Sequence, residues 1–173
     1  MAPAVPAHPN RLGADAFGAN AHRTTIAVRF AELDPYAHVN HAVYVTYFEV
    51  ARTEALAEVG LALDHMAREG FQFVVIDLAV RYRRAAEAGD VLTVETEVAK
   101  VGRASSVWRQ QILRPSGEKD DAELLVSTEL KVGITDRRGR PTKPPAWILS
   151  SSLLWWQARP TDAVARFAAE WGR

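Results

Sequence analysis

Between His41 and Gly60 the side chains of Tyr44, Tyr47, Phe48, Ala51, Ala55 and Val59 recur at helical spacing and make one apolar stripe. The same stretch holds Val43, Val45, Thr46 and Val50, β-branched residues that lose side-chain freedom in a helix, so propensity alone leaves it weakly helical. Burial of the stripe has to make up the difference. The helix therefore needs a broad apolar surface to lie on, and the neighbouring sequence supplies a sheet. Asn40 or His41 stands where a helix start is capped, and Gly60 where a C-terminal cap is expected.

Upstream, TTIAVRF from Thr24 alternates Ile26, Val28 and Phe30 with smaller or more polar neighbours, which predicts a first strand ended by Pro35. Downstream, after a linker with Leu61, Leu63 and Met66, the run from Phe71 puts Val74, Ile76, Leu78, Val80 and Tyr82 on one face and Asp77, Arg81 and Arg83 on the other. If buried, Asp77 needs a hydrogen-bond partner. Val91 to Val101 alternates in the same way, and Ala104 to Leu113 follows the Gly102 turn. The last strong strand, Leu124 to Ile134, collects Leu124, Val126, Thr128, Leu130, Val132 and Ile134 on one face and Ser127, Glu129 and Lys131 on the other. The turn formers and prolines of DRRGRPTKPP from Asp136 then close the domain. Strand, long helix and four antiparallel strands predict an α+β domain, one helix packed on a strongly bent sheet.

Length and composition fit this reading. A chain of 173 residues suffices for one such domain with a substantial core. Residues 1–22, rich in Ala, Pro, His and Asn, read as a flexible leader, 23–149 as the domain, and 150–173 as a C-terminal extension. In the extension Asp162 is placed to cap a short helix carrying Val164, Phe167, Ala168 and Trp171. Trp155 and Trp156, with the apolar strand faces, point to either oligomerisation or core packing. Lys plus Arg and Asp plus Glu balance at 21 each, so no global field draws in nucleic acid or a membrane surface. Without cysteine there is no disulfide, thiolate nucleophile or thiolate-ligated metal. No apolar run is long enough to span a bilayer and the N-terminus lacks a signal-peptide pattern, so a soluble cytoplasmic protein is expected.

The chemistry concentrates in the strand-to-helix turn, where Asp34, His38, Asn40 and His41 crowd together. Asp34, His38-Val39-Asn40, Tyr44, Tyr47-Phe48-Glu49 and Arg52, followed by VVIDLAVRYRR and GDVLTVETEVAKVGR, resemble the hotdog-fold thioesterases of the 4-hydroxybenzoyl-CoA thioesterase and acyl-CoA thioesterase group. The resemblance runs over about residues 24–147. It implies a long central helix wrapped by a curved five-stranded antiparallel sheet, hydrolysis of thioesters of coenzyme A or acyl carrier protein, and homodimers with active sites at the interface, many of them paired into tetramers. Neither a catalytic metal nor a redox cofactor is expected.

Carried over residue by residue, Asp34 matches the acid that acts as nucleophile or general base. The His41 main-chain amide matches the helix-start donor that polarises the thioester carbonyl. Glu49 resembles the helix-borne acid of another branch and is the rival carboxylate, although an Arg52 partner explains it too. Asn40 is a candidate for orienting substrate or water, and His38 and His41 for assisting proton transfer. Each of these residues has a plainer role available as a turn acceptor, helix cap or packed polar group. Two positions depart from the group: Ala37 stands where glycine is common, and His41 where a second asparagine follows HVN. Tyr44 and Phe48 are candidates for substrate contact, and Arg81, Arg83, Arg84 and Arg103 for the phosphates or acidic surface of a carrier.

HVNH lacks the spacing of a zinc site, and the Gly102-Arg103 and Gly139-Arg140 turns match no nucleotide-binding loop. Two other readings stay open at this level: a hotdog hydratase or dehydratase, which moves a proton on the acyl chain, and a protein that binds acyl thioesters without hydrolysing them.

Overall fold

A computed structural model describes residues 17, 21–115 and 122–148. The order is β1 (His22–Ala27), a 3-10 turn (Phe30–Glu32), α1 (His41–Glu58), α2 (Leu63–Glu69), β2 (Phe71–Tyr82), β3 (Val91–Val101), β4 (Ser105–Pro115) and β5 (Ala122–Asp136). The strands form one five-stranded sheet in the order β1-β3-β4-β5-β2, and every pairing is antiparallel. Helix α1 lies on one face of it, packed mainly against β3 and β1. This is the hotdog arrangement that the resemblance implied.

Helix α1 starts where the Asn40 side chain accepts the Ala42 N–H, at 3.0 Å. It stops just before Gly60, whose φ of 77° suits glycine better than any residue with a side chain. The expected stripe is the buried one: Tyr44, Tyr47, Phe48, Ala51 and Ala55 face the sheet, joined by Leu56, while Val59 is half-buried. Ala51 and Ala55 are small enough to bring the helix close to the strands. Phe48 and Tyr44 pack with Leu92, Val94, Ile112, Leu125 and Val126. A second cluster at the other end of the helix joins Leu56, Leu61 and Met66 to Val98, Trp108, Leu130 and Val132. Each fully buried side chain of this size contributes about 1.5–3 kcal/mol, which offsets the poor propensity of the valines in α1.

Four local expectations need correction. The linker after α1 contains a further helix, α2, ended by Gly70 in the left-handed conformation at φ 91°; burial of Met66 makes this short segment worth folding. Phe30 leaves the strand and is 86% exposed, because β1 ends at Ala27 and the Glu32 side chain turns back to accept the Arg29 N–H. In β2 a register shift between Val75 and Asp77 leaves Ile76 as an extra residue. Val75 therefore stands opposite Val132 and shares the helix side with Leu78, which is opposite Leu130, while Val74 lies beside Gly133 on the other face. Ile76 folds over Gly133, where an added Cβ would lie 2.8 Å from its Cδ1. In β5 a second shift, opposite Ile112 and Leu113, puts Leu125 in the core in place of Leu124.

Asp77 is exposed, and its Oδ1 accepts the Leu78 N–H. The domain boundary at residue 23 falls one residue inside β1. Trp155, Trp156 and the helix expected after Asp162 lie outside the described residues, as does the leader apart from Phe17, Ala21 and His22. Among the described residues no helix is long and apolar enough to cross a membrane.

Candidate active site

The acid-bearing turn is closed by its own hydrogen bonds. Asp34 N–H donates to His38 O at 2.7 Å and Ala37 N–H to Asp34 O at 3.0 Å, while Leu33 and Val39 bridge across the neck. The Asp34 side chain joins in through Oδ1, which accepts from Tyr36 N–H at 2.8 Å and His38 N–H at 3.2 Å. Its Oδ2 meets no donor among the described residues and is left for other chemistry. Ala37 adopts φ 63°, so the left-handed conformation that glycine usually supplies is retained at the cost of some strain. On the far side Val39 N–H donates to Ala86 O, and His38 bridges to Glu87, which docks the turn on the segment after β2.

The turn runs directly into the start of α1. Asn40 occupies two of the helix's first N–H groups: its side chain takes Ala42 N–H, and its carbonyl takes Val43 N–H at 2.9 Å. The N–H of His41 has no acceptor among the described residues. Its carbonyl is engaged instead, accepting the Tyr82 hydroxyl at 3.0 Å. An unpaired donor at a helix start, where the backbone dipole is positive, suits a developing negative charge. The imidazoles of His38 and His41 are exposed.

Behind the turn lies a buried carboxylate. Glu32 accepts the Tyr47 hydroxyl at 2.6 Å, the Arg29 N–H at 2.8 Å and the Arg29 Nε at 2.9 Å. Burial alone would push this carboxyl up, but the bonds from Arg29 and Tyr47 together outweigh it and hold it below the ordinary carboxylate range. The Tyr47 hydroxyl is pushed up, by burial first and then by its hydrogen bond to Glu32 and the Glu32 charge.

The remaining candidates are spread out. Glu49 sits further along α1 in an exposed position, with Arg52 Nη2 3.7 Å from its carboxylate. Arg52 is mostly buried and donates to Gln110 Oε1 at 3.0 Å; its pKa is lowered by that burial. Gln110 in turn donates to Phe48 O at 2.8 Å and Thr96 Oγ1 at 2.9 Å. Tyr44 and Phe48 belong to the core, and the Tyr44 hydroxyl accepts the Ala86 N–H at 2.8 Å. Arg81, Arg83 and Arg84 lie at the end of β2 that Tyr82 ties to His41, and Arg84 pairs with Glu123 at 2.7 Å. Arg103 is in the β3–β4 hairpin, at the opposite end of the sheet.

Glu32 and Tyr82 also border this candidate site, and neither stands out in the sequence. Glu32 stands three positions after Arg29, the spacing of a capping box, and that was its one signal. Tyr82 reads as another apolar strand residue until its hydroxyl is located. Beyond α1 a cavity of about 60 Å³ opens between Leu56, Val59, Phe73, Val98, Trp108 and Ile148. Among the described residues no group of three or more His, Cys, Asp and Glu side chains could hold a metal ion.

A family model described as "Thioesterase superfamily" matches residues 36–120. The long-chain acyl-CoA thioesterase FadM of Escherichia coli is 35% identical over 97 residues, covering 56% of this chain and 73% of that protein. The chain belongs to the thioesterase superfamily. This thioesterase is also 27% identical over 143 residues to the chloroplastic acyl-acyl carrier protein thioesterase ATL3 of Arabidopsis thaliana, covering 83% of this chain and 72% of that one. A probable thioesterase from Bartonella henselae superposes with a TM-score of 0.66 at 26% identity, over 72% of this chain and 99% of that one. The thioesterase is thus a hydrolase with the hotdog fold.

Proposed function

We propose that the enzyme hydrolyses acyl thioesters of coenzyme A, or of acyl carrier protein, with the Asp34 carboxylate as general base or nucleophile and the His41 N–H as oxyanion donor. One observation carries this reading: a carboxylate with one free oxygen and a helix-start N–H without an acceptor belong to the same hydrogen-bonded turn. As base, Asp34 takes a proton from water while the water oxygen attacks the carbonyl carbon. The His41 N–H receives the negative charge that develops on the carbonyl oxygen. Collapse of the tetrahedral intermediate breaks the C–S bond, and the carrier leaves as a thiol after protonation. As nucleophile, Asp34 forms an acyl anhydride that water then opens.

Both kinds of carrier stand among the relatives, FadM for coenzyme A and ATL3 for acyl carrier protein. Arg83 and Arg84, at the His41 end of β2, are our candidates for carrier contact, with a cytoplasmic location as part of the same reading. We also assign the bare edge of β2 to pairing with a second copy. Val74, Val75, Ile76, Leu78 and Tyr82 are each more than one-third exposed there, a patch that suits a homodimer with sites at its interface. Pairing of such dimers into tetramers would leave this edge contact intact.

Release of free thiol from acyl-coenzyme A and acyl-carrier-protein substrates tests the assignment. Asp34→Asn should lower kcat by about 10²–10⁴-fold, the range for loss of a positioned acid or base, and Glu49→Gln by far less. A wild-type rate from Asp34→Asn would sink the role of Asp34, and a reversed order would transfer it to Glu49.

A further inference from the structure

Glu32 is 8% exposed and makes more bonds than its place in a short surface turn requires. Oε2 accepts from the Tyr47 hydroxyl and the Arg29 N–H, and Oε1 from Arg29 Nε at 2.9 Å and Nη2 at 2.5 Å. Its main-chain oxygen accepts the Asn40 N–H at 2.9 Å. These contacts reach Arg29, two residues after β1, the cap of α1 and the buried face of α1. Asp34 follows two residues later, and His41 follows Asn40 directly.

We infer that Glu32 is a positioning residue for hydrolysis: it clamps the Asp34 turn to α1, so that the carboxylate and the His41 N–H keep one separation and one orientation. The inference rests on the reading of Asp34 and His41 given above. The chemistry of the clamp calls for a carboxylate. Four donor groups converge on its two oxygens, and an amide would turn an NH₂ toward one pair of them. Tyr47 is suited to the other end because its ring is held in the core and only its hydroxyl meets the charge. A clamp of this kind acts on rate more than on affinity, since small misplacements of reacting groups cost turnover steeply.

Steady-state hydrolysis of an acyl-coenzyme A accepted by the wild type, with a thermal unfolding curve for each variant, tests the clamp. Tyr47→Phe keeps the core ring and should fold even if Glu32→Gln does not. Each variant is expected to lower kcat roughly ten-fold or more with KM within two-fold. Placed on Asp34→Asn, Tyr47→Phe should add little further loss, because the clamp acts through the group already removed. Met66→Ala, a substitution in the second core cluster at the other end of α1, should lower the unfolding midpoint with kcat per folded molecule unchanged. Wild-type kcat in Tyr47→Phe, or full multiplication of its loss on Asp34→Asn, overturns the clamp. If Asp34→Asn is itself fully active, the reading of Asp34 falls first and the clamp with it.

Discussion

The two margins of the sheet are built on opposite principles. Strand β1 has six residues, and its side chains are tied down: Thr24 Oγ1 donates to Glu54 of α1 at 2.7 Å, His22 Nδ1 meets Glu58 at 2.7 Å, and Arg23 pairs with Glu95 at 2.8 Å. Strand β2 has twelve residues, and its apolar side chains stand open on both faces, Ile76 to 59% and Val75 to 48%. A sheet edge is a template for another strand, and shortness, charge and a covering helix are the usual ways to blunt it. β1 has all three. β2 is twice as long, carries charge only at Asp77 and Arg81, and meets the short α2 rather than α1, which leans toward β1 and β3 and reaches β2 through Tyr82 at one end. The comparison supports a division of labour in which β1 completes the subunit and β2 is the margin we assign to a second copy.

A charge on each margin in turn would break that comparison most sharply. Leu78→Lys should convert the protein to monomer in analytical ultracentrifugation and lower turnover at least ten-fold, whereas Thr25→Lys on the exposed side of β1 should change neither. Equal behaviour of the two variants would remove the distinction between the margins. A smaller effect is expected from Thr24→Val, which keeps the shape of a buried residue and deletes its bond to Glu54 together with the longer contact to His22 Nε2 at 3.1 Å. Urea unfolding should register a loss of about 1.5–3 kcal/mol, the usual range for a hydrogen bond to a charged group, with the oligomeric state unchanged. Smallest of all, Glu58→Gln should cost only about 0.2–1 kcal/mol in the same measurement, since that side chain is 64% exposed and solvent screens the pair. A large loss there would mean that β1 depends on charge more than on packing.

Much of the fold could be read along the chain. The α1 stripe survives because a helix that lies on a sheet must show one apolar face, and Tyr44 through Ala55 could show no other. Asp34 and Asn40 were legible because an acid and an amide between a strand and a helix have few places to go. Glu32 was harder to see. Its importance comes from Tyr47, fifteen residues away, and from Asn40, whose N–H folds back to it. Glu49 is the reverse case, prominent in the sequence but exposed on α1, with Arg52 at a long 3.7 Å.

Local periodicity marked α1 and the five strands, though not α2, because side-chain spacing reports on the dihedral angles of its own segment and on little else. Pairing decided the rest. The extra residue at Ile76 puts Val74 on the far face of the sheet and Val75 on the same face as Val132, and the shift beside Leu113 puts Leu125 in the core. Neither bulge has a signature within its own strand, since a bulge is defined by what the partner strand opposes. The same holds at the site. The chain itself places Asp34 near the start of α1, but Asn40 occupying the next two amides, with no acceptor left for that of His41, is a property of the folded turn.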